Sequence, residues 1–241
     1  MPSLADQIVA WIQEQARLAS RAGAVLGLSG GIDSAVVGAL AKRALGDEVL
    51  GLIMPCHSSP DDEESAILAA TKLGVRTERI DLTPVYDCFT AALQPGNGLA
   101  LANLKPRLRM MTVYFYANDL GYLVLGTGNK SELTVGYFTK HGDGGVDVLP
   151  IGSLLKTQVR QLAIELDIPG EIIARPPSAG LWAGQTDEEE MGLSYEQLDS
   201  CIDAIENGRT SECDPAILSR VLAMRGTSEH KRVTPAIFKP R

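Results

Sequence analysis

Residues 23–55 read GAVLGLSGGIDSAVVGALAKRALGDEVLGLIMP. The run 24–28 is short and apolar, and a glycine-rich turn follows it. Residues 34–45 return to a helical period and stop at Gly46, after which Val49 to Met54 form a second apolar run. Strand, loop, helix and strand in this order, over about thirty residues, predict one parallel βαβ unit.

The pattern extends in both directions. Leu4, Ile8, Trp11, Ile12 and Leu18 recur near a 3.6-residue period behind Ser3, a predicted N-cap. Downstream, the sequence predicts a helix from Asp61 to Leu73, a strand at 76–81, a helix near 84–93, a long helix around 99–119 and a strand at Tyr122–Leu125. Further helices are predicted at Leu154–Leu166, Tyr195–Asn207 and Pro215–Met224. Such alternation implies an α/β fold with a doubly wound, mainly parallel sheet and helices on both faces. Ligands of these sheets bind beyond the carboxyl ends of the strands, which directs attention to the turns at 29–33 and 126–132. Pro95-Gly96, Gly142 to Gly145 and residues 175–187 are the main loops, and none resembles an interdomain linker. One domain over 1–241 is expected. The acidic runs Asp61–Glu64 and Asp187–Glu190 are expected to cap helices or face solvent.

The 241 residues are 45% apolar and 22% charged, enough apolar side chain for a sizeable core. The formal charge of −8 argues against broad affinity for nucleic acid or membranes, while leaving room for a local basic pocket. No apolar run approaches the roughly 20 residues of a membrane span, and the N-terminus lacks the pattern of a signal peptide, so a cytoplasmic protein is expected. Cys56, Cys88, Cys201 and Cys213 form no C-x-x-C pair and are expected to be reduced structural thiols.

The turn itself, GLSGGIDS at 27–34, suits an anion. Glycines let the backbone approach a phosphate, the helix N-terminus presents free N–H groups, and Ser29 and Ser34 add hydroxyl donors. The Walker lysine is missing, so this is a different phosphate loop. Asp33 would repel phosphate unless a cation lay between them, which suggests Mg2+. The same residues satisfy G-x-S-x-G, a rival reading in which Ser29 is the nucleophile of a serine hydrolase, with His230 and Asp214 as its partners.

SGGIDS after a buried strand resembles the pyrophosphate loop of ATP pyrophosphatases, the adenine nucleotide alpha hydrolase-like group. Further stretches narrow the resemblance: NLKPRLRM at 103–110, GTGNKSE at 126–132, GYFTKHGDGGVDVLP at 136–150, PPSAGLWAGQTDEEE at 176–190 and HKR at 230–232. In this order, over about residues 4 to 238, they are similar to the NAD synthetase family. The resemblance implies adenylation of the nicotinate carboxylate of deamido-NAD by ATP, with release of pyrophosphate, followed by attack of ammonia to give NAD and AMP.

It also implies site residues. Gly27, Leu28, Ser29, Gly30, Gly31, Ile32, Asp33 and Ser34 would cradle ATP, with Thr127, Lys156 and Ser178 as further ATP contacts. Asp33 and Glu132 would hold Mg2+. Arg107, Lys140, Asp147, His230 and Lys231 would bind deamido-NAD, whose phosphates and carboxylate call for cationic partners. Asp33, Lys156 and Asp143 are the expected catalytic groups, Asp143 as a seat for ammonium or a proton acceptor. Ser178 stands where the family more often has Thr. Pro106 stands where it usually has a small helix former, so the helix carrying Arg107 is expected to start or kink there.

A glutamine-hydrolysing domain would need about another domain's length of chain. None is expected, so ammonia is the expected nitrogen donor. The resemblance also implies a homodimer, with the 99–119 helix as a plausible interface element. Rival functions are another ATP pyrophosphatase acting on a different substrate, the serine hydrolase, and a catalytically silent nucleotide-binding module.

Overall fold

Side-chain alternation along the first strand separates the two sides of the sheet. In the computed structural model, which describes residues 2–182 and 184–240, strands β1 (Ala24–Gly27), β2 (Val49–Ile53), β3 (Arg76–Arg79) and β4 (Leu123–Val124) are all parallel, in the order β3-β2-β1-β4. Ala24, Leu26 and Leu28 point to one face and Val25 to the other. The first face is covered by α1 (Leu4–Leu18), α2 (Ile32–Leu45), α3 (Pro60–Leu73) and, later in the chain, the helix Lys156–Glu165. The second is covered by α6 (Leu104–Leu120), whose Leu108, Val113 and Ala117 meet Val25, Leu52 and Val124, with α4 (Thr83–Ala91) and α5 (Gly98–Ala102) packed beside it. The doubly wound parallel architecture is therefore present.

The rest of the chain adds α7 (Lys130–Val135), α8 (Lys156–Glu165), α9 (Gly170–Ala174), α10 (Asp187–Met191), α11 (Tyr195–Glu206), α12 (Pro215–Thr227) and α13 (Glu229–Arg232). A separate small core of Val135, Met191, Leu198, Ile202 and Val221 packs α7, α10, α11 and α12 together. Each such fully buried Leu or Ile contributes about 1.5–3 kcal/mol.

Several boundaries differ from expectation for local reasons. The 99–119 helix is two helices that meet at Asn103. Pro106 then lies in the first turn of α6, where its missing N–H has no intrahelical partner to lose. On α1 the buried stripe is Ala5, Ile8, Ile12 and Ala16, while Leu4, Trp11 and Leu18 are exposed. Ser3 caps this helix in a reciprocal box with Asp6. Ser59 and Pro60 start α3 as expected. Beyond the start, Asp62 and Glu63 pair with Arg175 and Arg79 rather than with solvent alone. No helix among the described residues is long and apolar enough to cross a membrane.

Candidate active site

The chain runs from β1 outward to β2 and β3, then returns to place β4 on the other side of β1. This reversal leaves a crevice at the carboxyl ends of β1 and β4, where the 27–34 turn and the 126–132 turn face each other. Gly30 makes the first turn possible. Its φ is +80°, and a Cβ there would lie 2.4 Å from the Asp62 carbonyl oxygen. Ser34 braces the turn by accepting the Ser29 N–H at 3.2 Å and donating to the Gly31 carbonyl at 2.9 Å. Gly31 caps α2 without a side chain, and among the described residues no protein acceptor meets the N–H groups of Ile32, Asp33 and Ser34. They remain free for an anion.

Asp33 leans from this turn toward β4. Asn129 donates to its Oδ1 at 3.1 Å, and Lys156 donates to its Oδ2. Asn129 is itself the N-cap of α7, in a reciprocal box with Glu132, so one buried amide sets the position of both carboxylates. Lys156 is 1% exposed, with Nζ 3.5 Å from Glu132 and 5.0 Å from the centre of the Tyr195 ring. Its backbone N–H donates to Ser131, while Thr157 donates to the buried Asp199, and these two bonds fix the start of α8.

The electrostatics of this cluster are unbalanced. Asp33, Glu132 and Asp187 surround a single ammonium. Burial opposes the charge on Lys156, but Asp33 and Glu132 raise its pKa above the usual lysine value. Burial and the Asp33 charge push the Glu132 carboxyl up to about 8. Asp187 is likewise raised by burial, against the pull of Lys156, and among the described residues its buried Oδ1 has no hydrogen-bond donor. Excess buried negative charge and an unsatisfied oxygen suit a hard divalent cation that takes one or two carboxylates and completes its shell from phosphate oxygens. No cluster of three or more potential metal ligands occurs among the described residues, so a cation here would depend on those substrate oxygens.

A cavity of about 510 Å³ opens above the cluster. Of the residues singled out in the sequence, Gly27, Leu28, Ser29, Gly31, Ile32, Asp33, Ser34, Thr127, Glu132, Asp143, Lys156, Ser178 and Lys231 line it. Asp143 accepts the Thr139 N–H at 2.9 Å and so also closes the local turn. Lys231 donates to the carbonyls of Gly136 and Phe138, and burial lowers its pKa while Asp143 opposes the shift. Arg109 enters the wall from α6, held by the Met54 carbonyl and the Ser58 hydroxyl. Lys105 donates to the Leu181 carbonyl at 2.7 Å, and Arg175 reaches Asp62 at 2.6 Å, so the 175–182 segment is fastened from two sides.

Arg107, Lys140, Asp147 and His230 do not line the cavity. Arg107 is exposed on α6 and comes within 3.5 Å of the Lys140 carbonyl, while Lys140 donates to the His230 carbonyl, so these three lie together. Asp147 accepts from the Tyr114 hydroxyl and the Val124 N–H and borders a separate depression with Gln15 and Tyr122. Trp182 is exposed and outside the lining. The hydrolase geometry is missing. Ser29 Oγ faces Ser34, Asp214 caps α12, and among the described residues no imidazole meets Ser29.

Sequence reasoning missed Asn129, Arg109, Lys105 and Tyr195, and it assigned Asp187 to a cap or to solvent. Asp187 is instead 4% exposed and accepts from the Tyr195 hydroxyl at 3.0 Å, because its side chain turns inward beneath the cavity. The N-x-x-E spacing at 129–132 carried a usable signal for Asn129.

A protein-family model described as NAD synthase matches residues 4–235. The chain is 51% identical to the NH(3)-dependent NAD(+) synthetase of Archaeoglobus fulgidus, over 91% of this chain and 89% of that one. Identity to the NH(3)-dependent NAD(+) synthetase of Carboxydothermus hydrogenoformans is 46%, over 96% and 95%. Among solved structures, the NMN synthetase of Francisella tularensis superposes with a TM-score of 0.90 at 36% identity, covering 97% of this chain and 96% of that one.

Proposed function

Because the chain belongs to the NAD synthase family, we propose that it amidates the nicotinate carboxylate of deamido-NAD with ammonia and ATP. The carboxylate oxygen attacks the α-phosphorus, the α–β bridging bond breaks, and pyrophosphate leaves. Ammonia then attacks the acyl carbon, loses a proton, and expels AMP to give NAD. The observation that carries this reading is the Asp33, Glu132 and Lys156 cluster beside the free N–H groups of the phosphate loop.

Charge builds on pyrophosphate as the bond breaks, and fixed donors aimed at it lower the barrier without rearranging. The α2 N-terminus supplies N–H donors, and Lys156 supplies a cation held at the same edge. Asp33 and Glu132 are the residues that would hold Mg2+, which when bound neutralises phosphate charge and favours departure of pyrophosphate. Thr127 and Ser178 contribute hydroxyls on the ATP side of the cavity, and Asp143, which lines it, would seat ammonium or accept its proton. Lys231 marks the dinucleotide side.

The remaining dinucleotide residues suit a homodimer. Arg107, Met111 and Phe115 follow at i, i+4 and i+8 on α6, so they share one face. Met111 is 56% and Phe115 65% exposed, an apolar surface that pairing with a second copy would cover. Arg107 would then sit at the subunit boundary, with Lys140 and His230 beside it. The chain is a single domain working with free ammonia, a reading supported by relatives named NH(3)-dependent over nearly their full length.

The test is release of pyrophosphate with ATP, deamido-NAD and ammonium, omitting each in turn. Product should require all three, and glutamine should not replace ammonium. Nicotinate mononucleotide in place of deamido-NAD tests whether the chain follows the Francisella protein instead; a higher kcat/KM with the mononucleotide would overturn the dinucleotide assignment.

A further inference from the structure

We propose that Tyr195 and Asp187 are positioning residues that hold Glu132 and Lys156 in register with the phosphate loop, an inference that rests on the cation-binding role given above to Asp33 and Glu132. Tyr195 is 0% exposed. Its hydroxyl donates to Asp187 Oδ2 at 3.0 Å and lies 3.4 Å from Glu132 Oε1, while its ring faces the Lys156 ammonium at 5.0 Å. One side chain therefore touches the carboxylate, the cation and a further buried acid.

Its helix explains the reach. Tyr195 and Asp199 stand at i and i+4 on α11, on one buried face. Asp199 takes the Ser131 hydroxyl of α7 and the Thr157 N–H of α8, and Tyr195 takes Glu132 of α7 and Lys156 of α8. The same two short segments are thus gripped twice by one helix face. Asp187 extends the grip toward the 175–182 segment, since its N–H donates to the Pro177 carbonyl at 3.0 Å, next to Ser178. Among the described residues the buried Oδ1 of Asp187 has no donor, and the cap of α10 is Thr186, so capping does not account for the inward turn of Asp187.

The direct measurement is Mn2+ binding to the full chain in the presence of ATP, without deamido-NAD or ammonium, by electron paramagnetic resonance. Tyr195→Phe keeps the ring under Lys156 and removes the hydroxyl, and Asp187→Asn keeps the shape and removes the charge. Each is expected to weaken Mn2+ binding and lower kcat by about tenfold or more, with KM for deamido-NAD nearly unchanged. Leu198→Ala, a buried change on the same helix, should lower the melting temperature yet leave Mn2+ affinity within about twofold. Parent-like Mn2+ affinity in both polar variants overturns the proposal, as does an equal loss in Leu198→Ala. Should Tyr195→Phe fail to fold, Asp187→Asn decides alone. A parent chain that makes no NAD would refute the function and leave the Mn2+ comparison intact.

Discussion

Lys156 keeps its charge at 1% exposure because the Asp33 carboxylate it pairs with offsets the loss of water. Lys156→Met should lower kcat for pyrophosphate release by about 100- to 1000-fold. It should also destabilise the chain by about 3 kcal/mol, because Asp33 is left without its cation. Urea denaturation with rapid-quench kinetics separates the two effects, and an unchanged kcat would remove Lys156 from the chemistry. Glu132 gives a pH signature. Folded, it keeps its proton up to about 8, whereas the unfolded carboxyl loses it near 4.5. The native state therefore binds more protons across that window, and stability falls as pH rises through it. The metal-free melting temperature should decline between those pH values, Glu132→Gln should remove that contribution, and Mg2+ with ATP should flatten it by favouring the ionised form. Equal slopes for parent and variant would contradict the raised value. Asp33 could be singled out from sequence because an acid in a phosphate loop needs an explanation. Asp187 could not, since an acidic run before a helix has the same composition whether it caps the helix or turns inward.

At the scale of elements, short apolar runs located β1, β2 and β4 and the 3.6-residue stripe located the long helices, because the core imposes both. Short helices escaped. The segments Lys130–Val135, Gly170–Ala174 and Glu229–Arg232 span too few turns to repeat an apolar stripe. The break at Asn103 showed only through Pro106, which sits in the first turn of α6. β3 was legible as a strand but is exposed along its length, an edge whose Arg76, Glu78 and Arg79 discourage pairing with another chain. The decisive local element is the turn between β1 and α2. Gly30→Ala puts a Cβ against the Asp62 carbonyl at positive φ, a strain of about 1–3 kcal/mol. The loop must shift, so kcat/KM for ATP should fall by up to roughly 100-fold, with a melting temperature lower by a few degrees. An alanine variant with parent-like ATP kinetics would mean that the turn does not set the phosphate position.

For the molecule as a whole, the net charge of −8 carries into the crevice, where Lys156 and Lys231 stand among Asp33, Glu132, Asp143 and Asp187. Lys156 and Lys231 lie inside one chain's cavity, whereas Arg107, Lys140 and His230 lie outside it. Under the proposed function, this division would make the two substrates respond differently to assembly. ATP would meet groups supplied by the phosphate loop, α7 and α8 of a single chain. A dinucleotide that also reaches Arg107 depends on the α6 face, where Met111 and Phe115 stand exposed. The double substitution Met111→Lys and Phe115→Lys adds like charges to that face of both copies and should convert a dimer to a monomer in sedimentation velocity. In the monomer, KM for deamido-NAD should rise by about tenfold or more, while KM for ATP stays within about twofold, because only the dinucleotide loses a wall of its site. A parent chain that sediments as a monomer, or a monomeric variant with unchanged KM for deamido-NAD, would confine the whole reaction to one chain and leave Arg107 without a substrate.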